Sequence, residues 1–207
     1  AFSFGRVSVH SGADGSFIWG GQGTRQSEVH GFSLNVMPDV TGDGIVEVVG
    51  SGGWNAGLPG GRVRIYNGAT GAVVKEWTGP LEFDNYGHSV ATGGDFDGDG
   101  TLDIAFGAPG VDGLDQNQGQ VRVYSTDDFS LITAIDPPVL SGTWRYGNGL
   151  EFIGDVNDDG RDDLAIGARA SVNWDPPGTI QVVGYNGAQS QRLYTIAGVD
   201  HGGAFDG

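Results

Sequence analysis

The stretch from residue 95 to residue 110, DFDGDGTLDIAFGAPG, decides the fold. It places carboxylates at Asp95, Asp97, Asp99 and Asp103, which are positions 1, 3, 5 and 9 of a short loop. The glycines between them permit a sharp turn that points alternate side chains inward. Calcium prefers roughly six to eight oxygen ligands in such a loop. Four carboxylates, together with the backbone carbonyl of Thr101 at position 7, therefore predict a calcium site.

Two further loops, one on each side along the chain, repeat this pattern of acidic and small residues. In chain order, the loop that begins at Asp95 is the second of the three. The third loop offers Asp155, Asn157, Asp159, Arg161 (through its carbonyl) and Asp163. The first loop offers Asp39, Thr41, Asp43, Ile45 (through its carbonyl) and Glu47. Because the first loop replaces two aspartates by threonine and glutamate, we expect two well-formed Ca²⁺ sites and a third, weaker one. Occupancy of the first loop is left open.

Other structures also use Asp-Gly sequences. Such pairs form turns without any metal, but three loops in repeat register make that explanation insufficient. An EF-hand needs a bidentate glutamate at position 12 and a following helix, whereas position 12 is Gly50, Phe106 or Ile166. The runs that follow are apolar and rich in β-forming residues, which indicates buried strands. The loops are therefore expected to join strand to strand.

A repeat of about 57 residues organises the chain. Its marker is a glycine eight residues before each acidic loop, at Gly31, Gly87 and Gly147, with a fourth at Gly202. Each unit contains a strand A, the acidic loop, a strand B, and then strands C and D. Four antiparallel strands per repeat are the signature of a β-propeller blade. The sequence therefore predicts an all-β fold with about three and a half blades.

The repeat sets the expected boundaries within one partial propeller domain, residues 1–207. Residues 1–30 match strands C and D alone, which is half a blade. Whole blades are expected at 31–86, 87–146 and 147–201, and residues 202–207 match the start of a next blade.

The order of aromatic-Gly, acidic loop and Gly-Ala-Pro resembles the FG-GAP repeat of integrin α-subunit propellers and of related bacterial surface proteins. Tyr86-Gly87 and Gly107-Ala108-Pro109 carry the two name-giving elements. The resemblance implies an extracellular protein, which we expect to be of the bacterial type. Because integrin-like rings have seven blades, it also implies a partial ring, completed by further blades or by self-association.

Composition narrows the function further. The net charge of −16 argues against a nucleic-acid partner. No apolar run is long enough to insert into a membrane, and the absence of cysteine excludes disulfides and a catalytic thiol. Since calcium near millimolar concentration fills loops of this kind best, we expect a secreted or cell-surface protein.

The B–C and D–A connections lie opposite the calcium loops and are longer and more varied. Aromatic rings beside Asn and Asp suit a protein or glycan ligand. The ligand-face candidates are Trp54, Asp115, Trp144, Asn173 and Trp174. The competing interpretation is that the tryptophans wedge between blades. Arg62, Arg64 and Arg122 alternate on C strands and are expected to form a solvated face.

No catalytic motif such as HExxH, GxSxG or a P-loop is present in the sequence. We therefore expect a non-catalytic adhesion or ligand-binding module. Two alternatives remain open: the propeller portion of a secreted polysaccharide-active or lipid-active enzyme, and a purely structural repeat without a ligand.

Overall fold

The structure is a computed structural model that describes residues 5–24, 29–52, 60–81, 83–112, 117–138, 144–169 and 178–198. Its regular elements in these ranges are all β-strands, which confirms the all-β prediction. No helix among the described residues is long and apolar enough to cross a membrane.

The described ranges contain fourteen strands, five to nine residues long. They are β1 (Arg6–His10), β2 (Phe17–Gln22), β3 (Ser33–Met37), β4 (Glu47–Gly52), β5 (Arg62–Tyr66), β6 (Val73–Thr78), β7 (Val90–Gly94), β8 (Asp103–Ala108), β9 (Gln120–Tyr124), β10 (Leu131–Ile135), β11 (Trp144–Phe152), β12 (Leu164–Arg169), β13 (Thr179–Tyr185) and β14 (Ser190–Ala197).

The strands form one two-stranded sheet, β1-β2, and three four-stranded sheets, β3 to β6, β7 to β10 and β11 to β14. Every sheet follows chain order, and all neighbouring strands are antiparallel. This up-and-down arrangement is that of propeller blades. The half blade and three whole blades of the prediction correspond to these four sheets, while the residue-level blade boundaries stay a prediction.

The hydrophobic core lies between successive sheets. The second and third four-stranded sheets enclose one cluster, in which Phe96 and Val121 pack with Leu164 and Ile166. The first and second four-stranded sheets enclose another, in which Trp77 of β6 contacts Phe106 at a ring distance of 5.0 Å. The sheets thus bury side chains against their neighbours, so the blades stabilise one another.

The ring that precedes each of the first three repeat glycines is buried. In the first blade, His30 Nε2 lies 2.7 Å from the hydroxyl of Tyr66. In the second blade, the Tyr86 hydroxyl donates to the Tyr124 hydroxyl at 2.7 Å. In the third blade the equivalent hydroxyl, that of Tyr146, is buried and has no partner among the described residues. The reason is that a valine, Val183, stands where the other blades have tyrosine.

The predicted solvated arginine face is wrong for two of its three members. Arg62 and Arg64 are only 5% and 3% exposed. The Arg64 Nε donates to Glu76 at 2.7 Å, and Arg62 Nη1 donates to the Thr24 hydroxyl at 2.9 Å. Alternation along the strand was correctly recognised, but the two-stranded sheet covers this side of β5.

The tyrosine pair gives a prediction about stability. Tyr86→Phe removes a hydrogen bond and leaves the buried Tyr124 hydroxyl unpaired, so the free energy of unfolding should fall by about 1–2 kcal/mol. Tyr146→Phe removes the same atom where it has no described partner, so the loss should be smaller or absent. Urea unfolding of both variants would measure this, and equal losses would contradict it.

Candidate metal centre

The three acidic loops share one backbone conformation, and each connects strand A to strand B. Positions 4 and 6 of each loop have positive φ, for example 77° at Gly98 and 88° at Gly100. This left-handed region suits glycine and is tolerated by Asp and Asn. Asp158, at position 4 of the third loop, has φ 61°. The Gly-rich spacing of the sequence therefore produces the tight turn expected from it.

The first carboxylate of each loop holds that turn closed. In the second loop, Asp95 Oδ1 accepts from the backbone N–H of Gly98 at 2.8 Å, and Oδ2 accepts from that of Gly100 at 2.9 Å. Asp39 and Asp155 bond in the same way to the glycine at position 6. These backbone donors, that glycine first, hold the pKa of Asp39 and Asp155 below the ordinary value.

The second loop brings three carboxylates together. Asp95, Asp97 and Asp99 each present an oxygen such that these atoms lie within 4.8 Å of one another. Burial raises the pKa of Asp97, and the neighbouring charge of Asp99 raises it further. A divalent cation between the oxygens would relieve this repulsion, and carboxylate oxygens are the ligands that Ca²⁺ prefers.

The last acid of the second and third loops is the most informative. Asp103 Oδ2 accepts from the backbone N–H of Phe96 at 2.8 Å, and Asp163 Oδ2 accepts from that of Val156 at 2.9 Å. Both side chains are buried, and the other oxygen of each has no hydrogen-bond partner among the described residues. A buried carboxylate oxygen without a donor is costly. Both loops therefore fit a cation.

The pKa values of these two acids agree with that fit. Burial, reinforced by the charges of Asp97, Asp99 and Asp95, raises the pKa of Asp103 to about 7. Burial also raises the pKa of Asp163, again reinforced by neighbouring acids. The second and third loops thus each hold an acid whose ionised form is disfavoured alone and would be favoured beside a cation.

The first loop departs from this pattern at its last residue. Glu47 is fully buried, and its Oε1 accepts from the Thr41 backbone N–H at 3.1 Å and from the Thr41 hydroxyl at 2.8 Å. Its Oε2 accepts from the backbone N–H of Gly68 at 2.9 Å. Both oxygens are therefore satisfied by the protein, which does not fit a cation at this carboxylate.

The second and third loops also contact each other directly. Asp162 Oδ2 accepts from the Asp95 backbone N–H at 3.0 Å, and the Asp162 N–H donates to the Asp95 carbonyl at 2.8 Å. Arg161 Nε donates to the Asp97 carbonyl at 2.9 Å. Residues of the third loop thus position the first two acids of the second. Sequence reasoning missed these bonds, because they depend on how two blades sit side by side.

Of the five ligand-face candidates, the structure describes only Trp144. Trp54, Asp115, Asn173 and Trp174 lie outside the described residues. Trp144, placed in a connection by the sequence, is the first residue of β11. Ligand binding at the face opposite the acidic loops therefore stays a prediction.

The Asp103 pKa gives a pH-dependent prediction for the protein in calcium chelator. An acid whose pKa is raised by folding binds its proton more tightly in the folded state. As pH rises from the pKa of the unfolded acid to the folded pKa of about 7, this acid therefore destabilises the fold progressively. Asp103→Asn removes this titration, so at pH 8 it should raise the melting temperature by a few degrees, and the gain should shrink towards pH 4.

The control for that variant is Glu47→Gln. Its amide would face the N–H and O–H donors that Glu47 now accepts from, so this variant should melt lower in chelator. Thermal melts from pH 4 to pH 8 measure both. An Asp103→Asn melting temperature that is below wild type at pH 8 would contradict the account.

The bridge between the loops gives a prediction about affinity. Asp162→Ala removes the bond to the Asp95 N–H, so calcium affinity at the second loop should fall roughly threefold to tenfold. Asp158→Asn removes the same charge from the same loop without touching Asp95, and it serves as the control. Calorimetric titration measures the calcium affinity of both variants. Equal losses of affinity would contradict the prediction, because they would arise from the lost charge and not from the lost bond to Asp95.

Comparison with known proteins agrees with this geometry. The FG-GAP repeat model matches residues 86–124, which include the second loop. Integrin alpha-V of Gallus gallus is 34% identical over 146 residues, covering 67% of this chain and 14% of the relative. Integrin alpha-8 of Gallus gallus is 32% identical over 143 residues, covering 63% and 13%.

Integrin alpha-8 of Homo sapiens is 28% identical over 201 residues, covering 75% of this chain and 18% of the relative. The chain thus spans less than a fifth of the length of these relatives. That this protein is of the bacterial type stays a prediction. Matching repeat, blade topology and integrin relatives together place the chain in the FG-GAP repeat, integrin α-like family.

Proposed function

We propose that this chain is a calcium-stabilised propeller segment of a secreted or cell-surface protein, acting as a non-catalytic adhesion or ligand-binding module. One observation carries the calcium assignment. Asp103 and Asp163, at the same position of two loops, each bury an oxygen to which no group in the described part of the chain donates. A bound Ca²⁺ would supply positive charge there, and Asp95, Asp97, Asp99 and their counterparts in the third loop would hold it.

The protein's own residues explain what such an ion would stabilise. Each loop joins strand A to strand B, and the loop's last acid begins β8 or immediately precedes β12. Asp162 links the third loop to Asp95 of the second. Holding these loops in shape therefore fixes the strand pairs and the contact between two blades. Such a rigid scaffold suits the display of binding loops at its other face.

The relatives support the adhesive part of the proposal by name, since they are integrin α chains. A protein or glycan ligand at the face opposite the loops, and a partner or further blades that cover the open sheets, belong to the same proposal. Large apolar side chains exposed on the first and third four-stranded sheets favour a covering partner; they include Leu34 and Val36 on β3, Ile180 on β13 and Ile196 on β14.

The central test is thermal unfolding with and without calcium. Each ion bound to the folded state adds about 2.7 kcal/mol at a hundredfold excess of calcium over Kd, so two ions correspond to a rise of about 10–20 °C for a chain of this size. The chelated protein should therefore melt that much lower. Identical melting curves in calcium and in chelator would contradict the proposal.

A matched variant localises the effect. Asp97→Ala removes one of the three clustered carboxylates and should abolish binding at the second loop while leaving the third. Ligand binding is tested separately on a glycan array, in which a complete absence of hits would favour a purely structural repeat.

A further inference from the structure

The position that faces the end of each acidic loop lies at the end of strand C, outside the loop itself. Strands B and C pair in the same register in all three blades. One step beyond the last pair, strand C places Asn67, Ser125 and Gly184 beside Glu47, Asp103 and Asp163, respectively. The three blades therefore differ at one structurally equivalent position next to the candidate cation.

In the first blade this position sends an amide into the loop. Asn67 Nδ2 donates to Asp43 Oδ2 at 2.5 Å and to the Thr41 hydroxyl oxygen at 3.0 Å. These are the side chains at positions 5 and 3, which the sequence assigned to the ion. The Asn67 Oδ1 accepts from the backbone N–H and the hydroxyl of Thr70, at 2.8 and 2.7 Å. The amide is therefore fixed in orientation, with its donor side towards the acids.

In the other two blades, no hydrogen bond among the described residues runs from this position to the acids of the loop. The Ser125 hydroxyl oxygen accepts from the backbone N–H of Asp127 at 3.2 Å, within its own turn. At Gly184, a Cβ atom would lie 2.6 Å from Asp163 Oδ1, so any side chain there would have to displace that oxygen. Asp163 Oδ1, like Asp103 Oδ1, is buried without a donor. Glu47 has no such oxygen, because Thr41 and Gly68 donate to it.

We propose that the Asn67 amide takes the place of the cation in the first loop, so that the chain binds two calcium ions rather than three. An amide N–H₂ group carries partial positive charge and two donors, which satisfy Thr41 and Asp43 without an ion. This inference rests on the proposed calcium function of the other two loops. It makes the first loop a metal-independent connection between its strands.

The first experiment counts calcium per chain by equilibrium dialysis at millimolar calcium. We expect two ions for the wild type. Asp43→Ala and Asp99→Ala remove the same residue type at position 5 of the first and second loops. Asp43→Ala should keep two ions, and Asp99→Ala should keep one.

The outcomes separate the two proposals. Three ions, with one lost in Asp43→Ala, would overturn this inference and leave the calcium function standing. No bound ion would overturn the calcium function, and the inference with it, because no ion would exist for the amide to replace.

A second measurement tests the amide without calcium. Asn67→Ser keeps a turn-forming side chain, as Ser125 does, but is too short to reach Asp43. In chelator it should lower the melting temperature by about 4–8 °C, since two hydrogen bonds inside the loop are lost. Ser125→Ala, at the equivalent position, removes no contact to its loop and should change the melting temperature much less. An unchanged melting temperature for Asn67→Ser would overturn the inference.

Discussion

A buried carboxylate oxygen with no donor is the constraint on which the rest of this structure depends. Asp103 and Asp163 each satisfy one oxygen through a backbone N–H and leave the other unpaired inside the fold. Each lies at the point where an acidic loop passes into a buried strand. The fold can therefore tolerate these acids through a proton, which the raised pKa of Asp103 permits near neutral pH, or through a cation.

Contacts between neighbouring sheets connect this local constraint to the rest of the fold. Their hydrophobic clusters lie between sheets, so each sheet depends on its neighbours for burial. The second and third loops are additionally joined by Asp162 and Arg161. A change at one loop is thus felt by the next blade through both apolar packing and hydrogen bonds. Coupling of this kind is expected when repeats stabilise one another only through their nearest neighbours.

Much of this arrangement could be predicted from the sequence because its determinants are local. Alternating acids with glycine at fixed spacing specify the loop, and the apolar run after Asp103 specifies a buried strand. The recurrence of Gly31, Gly87 and Gly147 specifies the repeat. The loop and strand signals depend on neighbours within a dozen residues, and the repeat appears as a recurrence along the chain, so a single sequence displays all of them directly.

The parts that sequence reasoning missed depend on contacts across strands or between sheets. Asn67 lies 20 or more residues from the loop that it enters, and only the strand register brings it there. Arg62 and Arg64 alternate as an exposed face would, but a neighbouring sheet buries them. Val183 leaves the Tyr146 hydroxyl without a partner among the described residues, because valine has no hydroxyl group where the other two blades place a tyrosine.

The most direct measurement is an anomalous difference map from crystals of this chain grown in calcium, collected at long wavelength. The account predicts two peaks, one beside Asp103 Oδ1 and one beside Asp163 Oδ1, and the Asn67 amide bonded to Asp43 with no peak in the first loop. Absence of both peaks, or a peak in the first loop with Asn67 displaced, would contradict it.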